Sequence, residues 1–210
     1  MELRRLGHSG LTVSVVGLGC NNLGREGTAS QTQEGADAVV HAALDAGVTL
    51  FDVADAYGAE PGLSETVLGR ALGSRRDEVV VATKFGMDVR GANGPDFGAR
   101  GSRRYIMSAV EASLRRLGTD HIDLYQVHQP NPLVKDGTTM RGMSALIDVG
   151  VVGQPQRDRQ AAAAGAVADR HRRPGTGRAG RPPSARRPGQ GAAPLSARPL
   201  RSLAGRSRHA

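Results

Sequence analysis

The chain has 210 residues, a single cysteine, no tryptophan and a formal net charge of +8. That charge is unevenly placed: residues 1–153 hold 15 Lys and Arg against 18 Asp and Glu, whereas residues 154–210 hold 13 Arg against two Asp. The basicity therefore gives no argument for a nucleic-acid or membrane partner of the first 153 residues; Cys20 alone excludes an intrachain disulfide, and no run approaches the ~18 apolar residues of a membrane span.

Residues 1–10 are charged and lead into no apolar core with a cleavage site, so a cytoplasmic protein is expected. Two strand-like pieces, residues 3–6 and 11–15, flank His8-Ser9-Gly10 and predict a hairpin. Val15-Val16-Gly17-Leu18-Gly19 reads as the first strand of a sheet. A helix over 33–46 follows, with Ser30 and Gln33 spaced as a capping box and Gly47 as its stop. Val48-Thr49-Leu50-Phe51 predicts a short buried strand. The second helix starts near Ser64, carries Val67, Leu68, Ala71 and Leu72 on one side, and ends at Gly73.

Val79-Val80-Val81-Ala82-Thr83-Lys84 is a third strand. Residues 86–101 are glycine-rich and polar, and predict an irregular loop of the length often found in active-site lids. Ser102 caps a third helix whose Ile106, Val110, Leu114 and Leu117 form one apolar stripe, ended by Gly118. Ile122-Asp123-Leu124-Tyr125-Gln126-Val127-His128 is a fourth strand. A weaker fourth helix over 139–149 places Met140, Met143 and Ile147 along one face.

This alternation predicts an α/β fold with a parallel sheet, a class that carries its chemistry at the carboxyl ends of the strands. There the sequence has Asp52 and Tyr57, Lys84, and His128. Taken singly, each has a structural explanation. Asp52 suits a turn or a helix cap, Tyr57 suits packing, Lys84 suits a strand-end cation with a buried stem, and His128 suits a hydrogen-bonded core histidine.

Taken together, Phe51-Asp52-Val53-Ala54-Asp55-Ala56-Tyr57-Gly58, Ala82-Thr83-Lys84-Phe85-Gly86 and Asp123-Leu124-Tyr125-Gln126-Val127-His128 resemble the aldo-keto reductases, a family of NADPH-dependent (β/α)8-barrel enzymes. The resemblance runs from about residue 3 to residue 153. It implies a TIM-barrel type fold truncated after about four βα units, with residues 1–153 as the N-terminal half of the barrel. It also implies the reduction of a small aldehyde or ketone to the alcohol with NADP(H). Tyr57 would donate the proton, Lys84 would favour the phenolate, Asp52 would hold Lys84, and His128 would orient the carbonyl. Gly19, Cys20 and Asn21, together with Asp52, would border the nicotinamide. No metal is implied. Gly17-Leu18-Gly19 opens like a dinucleotide fingerprint but is not completed as one, and a tight turn that needs glycine explains it equally.

From residue 154 the composition changes. There is no Phe, Tyr, Ile, Met or Lys, and seven of the eleven prolines lie there. Such a segment buries too little apolar surface to offset its ordering entropy, so residues 154–210 are expected to be disordered. With no aromatic to stack a base, the arginines do not predict specific nucleic-acid binding. Back-translated and shifted by one base, residues 192–205 admit the phrase Leu-Leu-Pro-Tyr/Phe-Pro-Leu-Ala, close to one the family carries late in its barrel. That suggests a frameshifted product, truncated and impaired, with self-association through open barrel edges. An NADPH-binding regulatory subunit without turnover is the alternative within the family.

Overall fold

The protein is described by a computed structural model over residues 1–153; the expected disordered tail, residues 154–210, lies outside the described residues. Strands β1 (Leu3–Arg5) and β2 (Thr12–Ser14) form the antiparallel hairpin, with Leu3 opposite Ser14. Gly7 and Gly10 make its turn at φ 56° and 82°, a region that glycine enters without a Cβ penalty. Next come four parallel strands, β3 (Gly17–Gly19), β4 (Leu50–Asp52), β5 (Val80–Phe85) and β6 (Leu124–Val127), which lie side by side in chain order. Helix α1 (Gln33–Asp45) joins β3 to β4, and α2 (Leu63–Leu72) with a 3-10 stretch (Gly73–Glu78) joins β4 to β5. Helix α3 (Arg103–Leu117) joins β5 to β6, and α4 (Asp136–Asp148) follows β6.

Strand side chains alternate between faces, and here the alternation sorts structure from chemistry. Phe51, Val81, Phe85 and Tyr125 pack into one core with Val40, Leu68, Ile106 and Leu146 of the four helices. On the other face Leu50, Val80 and Leu124 meet Leu6, Leu11 and Val13 of the hairpin. The hairpin is fastened there by a reciprocal pair: Ser14 N donates to Thr49 Oγ1 at 2.8 Å, and Thr49 N donates to Ser14 Oγ at 2.9 Å. Positions 52, 84 and 128 have the parity of 50, 80 and 124, so Asp52, Lys84 and His128 belong to the hairpin's face, further toward the carboxyl ends.

Two local expectations are corrected. Helix α1 is capped by Thr32, whose hydroxyl accepts from Gly35 N at 3.2 Å. Ser30 instead donates to Asn22 O at 2.8 Å, inside the preceding loop. Helix α4 starts at Asp136 and buries Thr139, Gly142 and Leu146, leaving Met140 at 55% and Ile147 at 46% exposure. The cause is a close approach. A Cβ on Gly142 would stand 2.8 Å from Ile106 Cδ1, so α4 meets α3 through its small residue and turns those apolar side chains outward. The segment over 86–101 forms neither helix nor strand, as expected, but Val89 and Asn93 within it are 3% and 2% exposed. After α4, Val152 forms a parallel bridge to Ile122, and Gly153 N donates to Ile122 O at 2.9 Å.

Helices α2 and α3 also meet through a glycine. A Cβ on Gly69 would lie 2.3 Å from Leu117 O, a backbone atom that cannot swing aside. Alanine in a helix interior ordinarily gains up to ~1 kcal/mol over glycine. Gly69→Ala should reverse that sign and destabilise by about 1–3 kcal/mol through overpacking, read as a lowered urea midpoint.

Candidate active site

Lys84 stands near the carboxyl end of β5 with its side chain 12% exposed. Its ammonium reaches both oxygens of Asp52, at 2.8 and 2.9 Å, and donates to Val53 O at 3.0 Å. The Tyr57 hydroxyl lies 3.4 Å from the same nitrogen, and the Tyr57 ring centroid 4.9 Å away. The strand register makes this meeting necessary. Asp52 is opposite Ala82, so a side chain two residues further along β5, on the same face, passes directly over the end of β4. The chain beyond β4 keeps to β5: Val53 N donates to Ala82 O at 2.9 Å and Asp55 N to Lys84 O at 3.2 Å. The Tyr57 turn is therefore an extension of the sheet.

His128 completes the group from β6, with its main chain held by Phe85 O at 2.8 Å. Its ring meets that of Tyr57 edge-on, with centroids 5.5 Å apart and planes at 87°. Burial, and then the charge of Lys84, hold its pKa below the usual value, so the imidazole is neutral at neutral pH. Its Nδ1 is buried without a hydrogen-bond partner among the described residues. Asp52, Tyr57, Lys84 and His128 thus stand together, delivered by three adjacent strands.

The residues after β3 divide. Gly19 and Asn21 are exposed, and a Cβ on Gly19 would meet nothing within 4 Å, which leaves open space beside its register partner Asp52. Cys20 is fully buried in the helix-side core. Its N–H donates to Asp52 O at 2.8 Å, and its carbonyl accepts from Ser64 Oγ at 2.5 Å. Burial, and then the charge of Asp52, push its thiol up to about 12, so it is not a nucleophile at neutral pH. Among the described residues no group of His, Cys, Asp and Glu is arranged to hold a metal, and no helix is long and apolar enough to cross a membrane.

Behind this cluster lies a polar network that sequence reasoning missed. Glu65 of α2 is fully buried and accepts from Thr83 Oγ1 at 2.6 Å and from Arg116 Nε at 2.6 Å. Arg116 also donates to Asn93 Oδ1 at 2.9 Å, and Asn93 Nδ2 donates to Asp55 Oδ2 at 2.6 Å. Asp55 is fully buried, two residues before Tyr57. Burial, and then the charge of Glu65, raise its pKa from 3.8 to about 7. One signal was available for two members: Glu65 shares the apolar side of its helix with Leu68 and Leu72, and Arg116 follows the buried Ala109, Ala112 and Ser113 around α3. Nothing periodic marks Asn93.

Strand–helix units in series, with a carboxylate, an amine, a phenol and an imidazole gathered at the carboxyl ends of their strands, define an α/β protein with an enzyme-like site on its parallel sheet. The aldo/keto reductase family model matches residues 15–154, and the chain belongs to that family. Aldo-keto reductase YhdN of Bacillus subtilis (strain 168) is 39% identical over 154 residues, which make up 72% of this chain and 45% of that protein. The holo form of aldo-keto reductase AKR11C1 from Bacillus halodurans superposes with a TM-score of 0.62 at 36% identity, over 72% of this chain and 48% of that one. The chain spans about half the length of the relatives it matches.

Asp55 makes a prediction whose sign follows from its raised pKa. In the folded chain it keeps its proton where the unfolded chain has lost it, so its contribution favours folding below about pH 4 and is lost as pH rises through about 7. Asp55→Asn has no such dependence. Its stability relative to the wild type should therefore rise by about 2–3 kcal/mol between pH 5 and pH 8, measured from urea midpoints.

Proposed function

We propose that this chain carries the catalytic half of an NADPH-dependent carbonyl reductase, with Tyr57 as the proton donor. The observation that carries this reading is the single position of the Lys84 ammonium, bound to both Asp52 oxygens and 3.4 Å from the Tyr57 hydroxyl. When Tyr57 gives its proton to the oxygen of an aldehyde or ketone, negative charge is left on the phenol beside a fixed cation. Asp52 keeps that cation in place, so little reorganisation accompanies the transfer. His128, neutral and edge-on to the phenol, holds the substrate oxygen within reach of the proton.

NADPH, when bound, supplies the hydride. The residues present suit its nicotinamide end, because the space beside Gly19 is open and the buried His128 Nδ1 has no partner among the described residues. Gly19, Asn21 and Asp52 would line that end, with Cys20 holding the strand end from the core side. In family members most of the cofactor grip comes from the second half of the barrel, and the composition of residues 154–210 offers no recognisable counterpart. Cofactor binding by this chain is therefore weak in this proposal, and turnover is slow.

The experiment follows NADPH oxidation by the full chain with simple aldehydes, beside Tyr57→Phe, with cofactor binding titrated by fluorescence. Tyr57→Phe should leave NADPH binding unchanged and lower turnover by more than about tenfold, at least ~1.4 kcal/mol in the barrier. Retention of more than about a tenth of the activity would exclude Tyr57 as the donor. NADPH binding without any wild-type turnover would assign the chain to the non-catalytic alternative.

A further inference from the structure

We propose that Asn93 is a positioning residue, clamping the glycine-rich segment 86–102 to the turn that carries Tyr57 through Asp55 on one side and Arg116 on the other. An asparagine side chain taken out of water costs free energy unless its amide is bonded. Asn93, 2% exposed in an otherwise polar loop, has both ends of its side-chain amide bonded. Nδ2 donates to Asp55 Oδ2 at 2.6 Å and to the Tyr105 hydroxyl at 3.3 Å. Oδ1 accepts from Arg116 Nη2 at 2.9 Å, and the main-chain carbonyl accepts from Ser108 Oγ at 2.5 Å. On either side of it Ala92 N donates to Val89 O and Gly94 N to Gly91 O, so two hydrogen-bonded turns flank the inserted side chain.

The partner on the sheet side is well placed to pass the constraint on. The Asp55 main chain is fixed to Lys84 O, its side chain is fixed to Asn93, and Tyr57 N donates to Ala54 O at 3.2 Å within the same turn. The clamp is also asymmetric in charge. Asp55 faces Glu65 from α2, Arg116 and Tyr105 from α3, Lys84 from β5 and Tyr125 from β6. Arg116 gives its Nε to Glu65, and Asp55 receives the neutral amide of Asn93 in place of a guanidinium. A carboxylate at position 93 would bring a third negative charge into this group. The proposal rests on the reading of Tyr57 as proton donor for its consequence in catalysis, but the clamp itself is tested without turnover.

The test is hydrogen exchange of the full chain followed by mass spectrometry, for wild type, Asn93→Ala and Asn93→Asp, at pH 5.5 and 8.5 after correction for intrinsic rates. Asn93→Ala should speed exchange at least about tenfold in both 53–58 and 86–102 at either pH, leaving α1 unchanged. Asn93→Asp should match the wild type at pH 5.5, where one proton is shared between the facing carboxyls. At pH 8.5 its exchange should move toward that of Asn93→Ala as the shared proton is lost. Unchanged protection of 53–58 in Asn93→Ala, or exchange of Asn93→Asp as fast as that of Asn93→Ala at pH 5.5, would overturn the clamp. If Asn93→Ala loosens α1 as well, the Asn93→Asp pair decides alone: recovery at pH 5.5 supports the clamp, and none refutes it. The readouts stay separate, because a Tyr57→Phe chain that keeps its turnover sinks the reductase reading and leaves these exchange rates untouched.

Discussion

The register between β4 and β5 is the constraint on which the site depends. Pairing Asp52 with Ala82 sends the Lys84 side chain across the end of β4, where a carboxylate, a main-chain carbonyl and a phenol already stand. A slip of one residue would turn Lys84 toward the helices and bring Thr83 to the hairpin's face. Such a slip is resisted on both faces at once. Val81 and Phe85 are seated in the helix-side core, and Val80 is seated against the hairpin. The apolar residues of β5 thus hold its one amine in place against Asp52.

Thr83 and Lys84, consecutive on β5, divide the polar work of the protein between two faces. Lys84 enters the open site, while Thr83 donates to the buried Glu65 and so ties the strand to α2 and, through Arg116, to α3. A buried ion pair of this kind adds little net stability over apolar packing, yet removing one partner strands the other at a cost of about 3–5 kcal/mol. Its effect is therefore geometric: it fixes where two helices sit relative to the strand that bears Lys84. Asp55 and Asn93 extend the same network to the Tyr57 turn and the long loop.

Much of this was legible in sequence because it rests on short-range periodicity. Helix α3, with Ser102 as cap, its apolar stripe and Gly118 in the left-handed region, forms where local chemistry places it. Asp52, Tyr57, Lys84 and His128 could be expected together because each follows a strand-like run at its carboxyl end. What local pattern could not reveal was set by close approach. Gly142 turns α4 by letting it lie against Ile106, a contact with no trace in the spacing of Met140 and Ile147. Thr32 takes the cap of α1, while Ser30 is bonded back to Asn22 within the preceding loop. Asn93 escaped notice altogether, since a single inserted residue in an irregular loop has no period.

The order of the strands has a consequence for how such a chain reaches its fold. Because β3, β4, β5 and β6 are neighbours in the order of synthesis, each new unit finds its docking surface already made. The helices follow suit, α1 against α2, α2 against α3 and α3 against α4. Loop-closure entropy is met in small increments, and the structure can grow from its first unit as the chain emerges. The hairpin is the exception. Made first, it supplies Leu11 and Val13 to a cluster completed only when Val80 and then Leu124 arrive, more than a hundred residues after it. Its three-residue strands gain that packing only once the residues of the sheet behind them have been made.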